Sequence, residues 1–118
     1  MSEFTQYLIE AFELLGPVYS RPMFGGHGIY HDGLMFGLVV DDTLYLKSDA
    51  EIAHYFEAED LSMFTYTKQG KPVKIAYYQA PDAVLEDREE ALVWARRSWQ
   101  AALKADKKKA KKARPYNN

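Results

Sequence analysis

The chain has 118 residues, of which 47% are hydrophobic and 14% aromatic, and its formal net charge is −2. This length favours a single domain, and the apolar content is enough for one compact core. The absence of cysteine excludes disulfide bonds, thiol nucleophiles and thiolate metal sites. The longest apolar run, Leu34 to Val40, is far shorter than the about 20 residues of a membrane-spanning helix. The N-terminus lacks the basic and apolar segments of a secretory signal, so we expect a cytoplasmic protein without membrane contact.

Charge is distributed unevenly along the chain. Residues 104–118 contain seven basic residues and one acid, a net charge of +6, which leaves −8 on residues 1–103. We therefore divide the chain into a globular domain, residues 1–103, and a basic C-terminal tail or helix extension, residues 104–118. An acidic globule repels phosphate backbones, so any attraction to nucleic acid depends on the tail. Its lysines include Lys107, Lys108, Lys109, Lys111 and Lys112.

The first predicted element is an amphipathic helix. Ser2 is a suitable N-cap residue, and Gly16-Pro17 stops the helix. Apolar residues recur between them at the spacing of one helical face, namely Phe4, Leu8, Ala11, Phe12 and Leu15.

Strands follow. Aromatic and β-branched runs broken by turn signals predict an antiparallel meander with strands at residues 28–30, 34–40 and 44–47. Alternation of the side chains predicts two more strands at residues 63–67 and 73–78. The short connections within each group join antiparallel neighbours.

Two further helices complete the pattern. Ser48 with Glu51 forms a capping box, which predicts a short helix to about residue 58. A long helix is predicted from about residue 87 to at least residue 103. The order α-β-β-β-α-β-β-α indicates an α+β domain whose antiparallel five-stranded sheet has helices on one face. The apolar residues on both strand faces favour a partner for the other side.

A family resemblance begins in a glycine-rich segment. It reads Arg21-Pro22-Met23-Phe24-Gly25-Gly26-His27-Gly28-Ile29-Tyr30 and resembles the Met-Phe-Gly-Gly-x-Gly-x-Tyr segment of the TfoX (Sxy) family N-terminal domain. The likeness covers about residues 4–103 and continues through Asp32-Gly33-Leu34-Met35-Phe36, Leu44-Tyr45-Leu46-Lys47, Gly70-Lys71-Pro72-Val73 and Ala76-Tyr77-Tyr78. Several motifs in one order are more specific than a single glycine pattern.

The resemblance implies a bacterial cytoplasmic α+β domain without enzyme activity. In the longer family members this domain is associated with regulation of competence genes for DNA uptake. This sequence differs from those members because it does not contain their C-terminal helical domain. The fold is therefore the firmer part of what the resemblance implies, and the regulatory role is the part that needs a test.

The glycine segment permits three interpretations. A phosphate cradle would lead into a helix N-terminus, whereas these glycines lead into a predicted strand. Alternatively, the glycines permit a bulge, a positive φ or close strand packing. The third interpretation is a binding surface, which we assign to Arg21, Met23, Phe24, Gly25, Gly26 and Tyr78. Tyr78 is included because Tyr77 and Tyr78 point to opposite faces of their strand, so that one belongs to the core and the other to the open face or a dimer interface.

No motif predicts a metal site, a cofactor or catalysis. His27 and His31 lie around a hairpin turn, where a spacing of four does not bring two imidazoles together, and no acidic pattern completes a ligand set with His54. None of the serines lies in a nucleophile-elbow context.

Three functional hypotheses follow. The first, which we favour, is a non-enzymatic regulatory or adaptor domain that acts through protein contacts, as a homodimer with a protein partner in transcription regulation. The second is a DNA-associated protein that binds weakly through its basic tail. The third is an enzyme or small-ligand binder that uses Arg21 and the glycine segment.

Overall fold

The structure is a computed structural model that describes residues 2–23 and 25–113, with side chains through residue 111. Its elements are α1 (Glu3–Ala11), β1 (Tyr19–Met23), β2 (Gly26–His31), β3 (Leu34–Val40), β4 (Thr43–Lys47), α2 (Ala53–Glu57), β5 (Met63–Lys68), β6 (Lys71–Gln79), α3 (Ala83–Glu86) and α4 (Arg88–Ala113). The predicted α+β class with an antiparallel open sheet is confirmed. Within the described residues, every helix is too short or too polar to traverse a lipid bilayer.

The strands form one antiparallel sheet in the order β1-β2-β3-β4-β6-β5. Strand β6 pairs with β4 only through Tyr77, Tyr78 and Gln79. The rest of β6 pairs with β5 alone. The β5–β6 hairpin therefore extends past the end of β4 at Lys47.

The prediction of five strands is wrong because it omits β1. This strand contains the polar Ser20 and Arg21 and also Pro22, and a proline argues against a strand in the middle of a sheet. Strand β1 lies at the sheet edge with β2 as its one neighbour, and an edge tolerates a missing N–H. Because Met23 pairs with Gly26, β2 begins at Gly26, two residues before the predicted start at residue 28.

The first helix is shorter than predicted, and the last begins near the predicted residue and extends past residue 103, in agreement with a prediction that gave this residue as the minimum. The Ser2 hydroxyl accepts a hydrogen bond from the Thr5 N–H at 3.1 Å, as a cap should, but α1 ends at Ala11 and turns follow. A separate short helix, α3, precedes α4, so the predicted helix order is incomplete. Helix α4 continues to Ala113 because alanine and lysine are strong helix formers even without core contacts.

The predicted capping box before α2 does not form. The Asp49 carboxylate accepts hydrogen bonds from the N–H groups of Glu51 at 2.9 Å and Ile52 at 3.1 Å. The Ser48 hydroxyl instead donates to the Asp49 carbonyl at 3.2 Å. A charged acceptor forms the stronger bond, so Asp49 replaces Ser48 as the organising residue, and α2 begins only at Ala53.

The main core lies between the helices and one face of the sheet. Phe12, the residue that directly follows α1, packs edge-on against Phe36 of β3, with ring centroids 5.3 Å apart. Trp94 of α4 packs on Phe56 of α2 at 5.1 Å, and Phe12, Phe36 and Phe56 are completely buried. Large rings each remove about 150–250 Å² from water when they are buried, so this core contributes strongly to the stability of the fold.

Candidate functional site

A second apolar cluster lies on the sheet face opposite the helices, which we call the open face. Every member of this cluster belongs to a strand: Met23, Met35, Leu38, Val40, Tyr45, Phe64, Tyr66, Ile75 and Tyr77. Within the described residues, no helix covers them. An uncovered apolar cluster that draws on five strands is typical of an interaction surface.

The centre of the open face is closed by its own side chains. Leu38 pairs with Tyr45 across β3 and β4, and it is completely buried although no helix covers it. The Tyr45 ring packs edge-on against Phe64 at 4.9 Å. Tyr77 is 8% exposed, and burial, followed by the nearby Tyr30, raises the pKa of its hydroxyl. The side chains of the open face therefore shield its centre from solvent without a partner.

Two cations lie over aromatic rings on the open face, Lys47 at the end where β4 finishes and Arg21 at the β1 edge. The Lys47 ammonium is 5.3 Å from the centroid of the Tyr77 ring. The Arg21 guanidinium is 5.4 Å from the centroid of Tyr30 and 5.8 Å from that of Tyr19, and those two rings stack on each other. Within the described residues, neither cation forms an ion pair with a carboxylate. Both charges are therefore available to a partner.

The other end of the open face is acidic. Asp41 and Asp42 form the two-residue turn between β3 and β4, with φ values of 51° and 53°. Aspartate tolerates this left-handed conformation better than most residues. Asp41 borders a depression of about 540 Å³ that the open-face residues Val40, Tyr45 and Phe64 also line. The depression joins a carboxylate to an apolar wall.

The glycines of the predicted binding surface have structural roles. Gly25 lies in the turn between β1 and β2 with a φ of 75°. A Cβ atom on Gly26 would lie 1.8 Å from the carbonyl oxygen of Val39, so only glycine permits this approach of the strands. On the open face, a Cβ atom on Gly28 would meet the sulfur atoms of Met35 at 2.8 Å and Met23 at 3.0 Å. Close strand packing thus explains the motif without a phosphate ligand.

The structure brings together only part of the predicted binding surface. Arg21 and Met23 lie on β1 at the open face, whereas Phe24 lies outside the described residues. Tyr78 is corrected, because it lies on the helix side, where it stacks on Phe56 at 4.9 Å and its hydroxyl donates to Glu57 at 3.3 Å. Its neighbour Tyr77 is the residue that faces the open side.

Sequence analysis assigned only Met23 of this cluster to the binding surface and missed its central residues Leu38, Tyr45 and Phe64. Their signal was present, since alternation within β3, β4 and β5 gives each strand two apolar faces. What the pattern does not show is which face the helices cover. That choice depends on contacts between distant segments.

The basic end of α4 presents a stripe of lysines. Lys104, Lys107, Lys108 and Lys111 follow the spacing of one helical face, and all are exposed. The Lys104 ammonium lies 2.5 Å from the Glu51 carboxylate, and this hydrogen bond raises the pKa of Lys104. Lys109 falls outside the stripe, and the side chain of Lys112 is outside the described ones.

The described residues contain no group of three or more His, Cys, Asp or Glu side chains placed to hold a metal ion. His31 instead has structural partners. Its Nδ1 lies 2.7 Å from the Pro17 carbonyl, its Nε2 lies 3.3 Å from the Asp32 carboxylate, and its carbonyl accepts a hydrogen bond from the Trp99 indole at 2.8 Å.

The fold and this surface define a small α+β domain with one helix-covered and one uncovered apolar sheet face. The chain belongs to the TfoX N-terminal domain family, whose model matches residues 10–102. It is 28% identical to Protein Sxy of Escherichia coli (strain K12) over 95 residues, 80% of this chain and 46% of that protein. It is also 28% identical to DNA transformation protein TfoX1 of Aliivibrio fischeri (strain ATCC 700601 / ES114) over 82 residues, 70% of this chain and 39% of that protein. The chain thus spans less than half the length of both relatives.

Proposed function

We propose that this chain is a non-enzymatic regulatory or adaptor domain of the cytoplasm, linked to the control of DNA uptake, and that it acts through protein contacts on the open face. The apolar cluster formed by strands alone is the observation that carries this proposal. Six of its nine members are only partly buried, and contiguous apolar residues that reach the surface of a soluble domain commonly mark a binding site. The name of the relative TfoX1 connects the family to DNA transformation.

A chimera tests the proposal. In it, this chain replaces the matching segment of the Aliivibrio fischeri protein TfoX1, and the transformation frequency of the host is measured. We expect the chimera to support transformation. The substitution Ile75→Lys places a charge on the open face and is expected to lower the frequency about tenfold or more, because a partner would have to bury the ammonium.

Val93→Lys is the matched control. Val93 is also β-branched, but it lies on α4 with 42% exposure, away from the open face. We expect this variant to keep the parent frequency. Equal frequencies for the Ile75→Lys and Val93→Lys chimeras would contradict a role for the open face, and a parent chimera without transformation would contradict the link to DNA uptake.

The lysine stripe of α4 supports a second candidate function, weak attraction to DNA. Three of its lysines, Lys107, Lys108 and Lys111, lie on one face of an ordered helix and have no carboxylate partner among the described residues. Each phosphate contact steepens the dependence of log K on log salt by about 0.9. Changing these three lysines to glutamine should therefore flatten the slope by about 2 to 3.

Removal of cations elsewhere provides the control for this test. Lys68 and Lys71 lie at the turn of the β5–β6 hairpin and are exposed. Glutamine at both positions should leave the salt dependence of duplex binding close to that of the parent chain. Absence of DNA binding at low salt, or binding that survives deletion of residues 104–118, would contradict this second candidate.

A further inference from the structure

The two ends of the open face, taken along the direction of its strands, carry opposite charges. Its Lys47 ammonium lies toward the end where β4 finishes, whereas Arg21 lies at the β1 edge in the row of Gly28, Leu38 and Tyr45. Its acids, Asp41 and Asp42, lie where β4 begins. The two ends are separated by the apolar centre, in which Leu38 is completely buried. A partner that matches the whole face must therefore carry acids opposite one end and cations opposite the other.

A second copy of the same face meets this requirement after one particular rotation. A two-fold axis that runs across the strands reverses their direction, so the cationic end of one copy lies over the acidic end of the other. An axis along the strands would instead place like charges together, which is unfavourable. Thr43 and Lys47 are each two residues from Tyr45, so an axis at the level of Tyr45 brings residue 43 of one copy to residue 47 of the other.

The β5–β6 hairpin adds to this match. It extends past Lys47 at the cationic end, and its turn carries the exposed residues Lys68 and Lys71. In the reversed arrangement these lysines extend past the acidic turn of the other copy, because Lys71 lies six residues beyond the Tyr77–Lys47 pair, and they add only long-range attraction. The contacts of Lys47 with that turn are isologous, because each occurs twice around the axis, and they close the assembly at two copies.

The size of the face limits the strength of the contact. Six strands spaced about 4.8 Å apart, with a rise of about 3.3 Å per residue, make a face about 24 Å wide and about 20 Å long. This area is below the about 800 Å² that each partner buries in a standard interface. The association should therefore be reversible, with a dissociation constant in the micromolar range.

We infer that the partner of the open face is a second copy of this chain, bound sheet to sheet about a two-fold axis that crosses the strands near Tyr45. The inference rests on the proposed function, since it names the occupant of the same surface. Dimerisation buries the strand cluster and pairs Lys47 of each copy with the Asp41–Asp42 turn of the other.

Substitutions that change the charge at positions 43 and 47 of the full chain test the direction and position of the two-fold axis. Lys47→Glu places like charges together in both halves of the dimer, and Thr43→Lys does the same at the other end. We expect each single substitution to weaken the dimer about tenfold in sedimentation equilibrium at low salt. The double variant restores opposite charges around the axis and should return to within about threefold of the parent dissociation constant.

A mixture of the two single variants provides a second measurement. In a heterodimer, the glutamate introduced at position 47 of the first variant faces the lysine introduced at position 43 of the second, and the other half keeps the native charges. Native mass spectrometry should therefore show heterodimers in excess over both homodimers. This result also demonstrates that both variants fold, so a folding defect cannot imitate the expected loss.

Three results would overturn the inference. The first is that the chain stays monomeric from about 1 µM to about 1 mM. The second is that the double variant has a dissociation constant as high as those of the single variants. The third is that the mixture shows no excess of heterodimer over the homodimers. A monomer whose Ile75→Lys chimera still loses transformation would overturn only the dimer, because the face would then bind a different protein. A dimer that persists while Ile75→Lys leaves transformation unchanged would instead reject the proposed function.

Discussion

The two faces of the sheet use the same strands and similar residues but differ in how they are covered. On the helix side, Phe12, Phe36 and Phe56 are completely buried by α1, α2 and α4. On the open face, the cluster around Leu38 consists of strand residues alone. Comparison of the faces indicates that apolar strand residues serve folding where helices meet them. On the other face they are available for association.

The largest expected effect is the difference in unfolding free energy between a substitution on the helix side and one on the open face. Phe12→Ala leaves a cavity under α1 and should lower the free energy of unfolding by about 3–5 kcal/mol. Ile75→Ala on the half-buried open face should cost about 1 kcal/mol. Urea unfolding with circular dichroism measures both values at a concentration that keeps the chain monomeric. Equal losses would mean that the open face contributes as much to folding as the helix side does.

A smaller effect is expected from two glycines of the same motif. Alanine at Gly26 would drive its Cβ into the backbone of Val39, and we expect a loss of about 2–3 kcal/mol. Alanine at Gly28 meets the flexible sulfur atoms of Met23 and Met35, so a loss below about 1 kcal/mol is expected. Thermal unfolding compares the variants. A larger loss for Gly28→Ala would show that the methionines of the open face cannot move aside.

Local chemistry explains what the sequence predicted well. The turn at Asp41-Asp42 and the alternation in β5 and β6 involve near neighbours, so they are visible in sequence. Strand β1 was missed because its stability comes from pairing with β2 and not from its own composition. Tyr78 was assigned to the wrong face for a similar reason. Alternation separates Tyr77 from Tyr78, but only the distant α2 and α4 determine which ring enters the core.

The third prediction concerns the contribution of the buried Tyr77 hydroxyl to the pH dependence of stability. Burial raises its pKa in the folded state, so the folded chain keeps this proton after the unfolded chain, with a tyrosine pKa of about 10, has lost it. The stabilisation is complete below about pH 10 and is lost as pH rises further, by up to about 1.4 kcal/mol per pH unit.

Tyr77→Phe removes this contribution. Its unfolding free energy should therefore fall less than that of the parent chain between about pH 8 and about pH 11, and urea unfolding at both values measures the difference. Parallel pH profiles for the two chains would show that the Tyr77 hydroxyl on the open face is as hydrated as in the unfolded chain.

The smallest effect compares two arginines that make the same type of contact on opposite sides of the molecule. On the helix side, the Arg97 guanidinium lies 3.7 Å from the centroid of Tyr55 and 4.9 Å from that of Trp94. Arg21 lies over Tyr30 at 5.4 Å on the open face. A cation over an aromatic ring contributes about 0.5–1 kcal/mol at exposed sites.

We expect Arg97→Ala to lower the unfolding free energy by about 1 kcal/mol, because its two ring contacts are short. Arg21→Ala should lower it by about 0.5 kcal/mol or less and should leave the dimer as strong as that of the parent or slightly stronger, because an axis at the Tyr45 row places the two Arg21 residues over each other. Urea unfolding and sedimentation equilibrium on both variants separate the two roles. If Arg97→Ala weakens the dimer, the second copy binds on the helix side, and the open face needs another occupant.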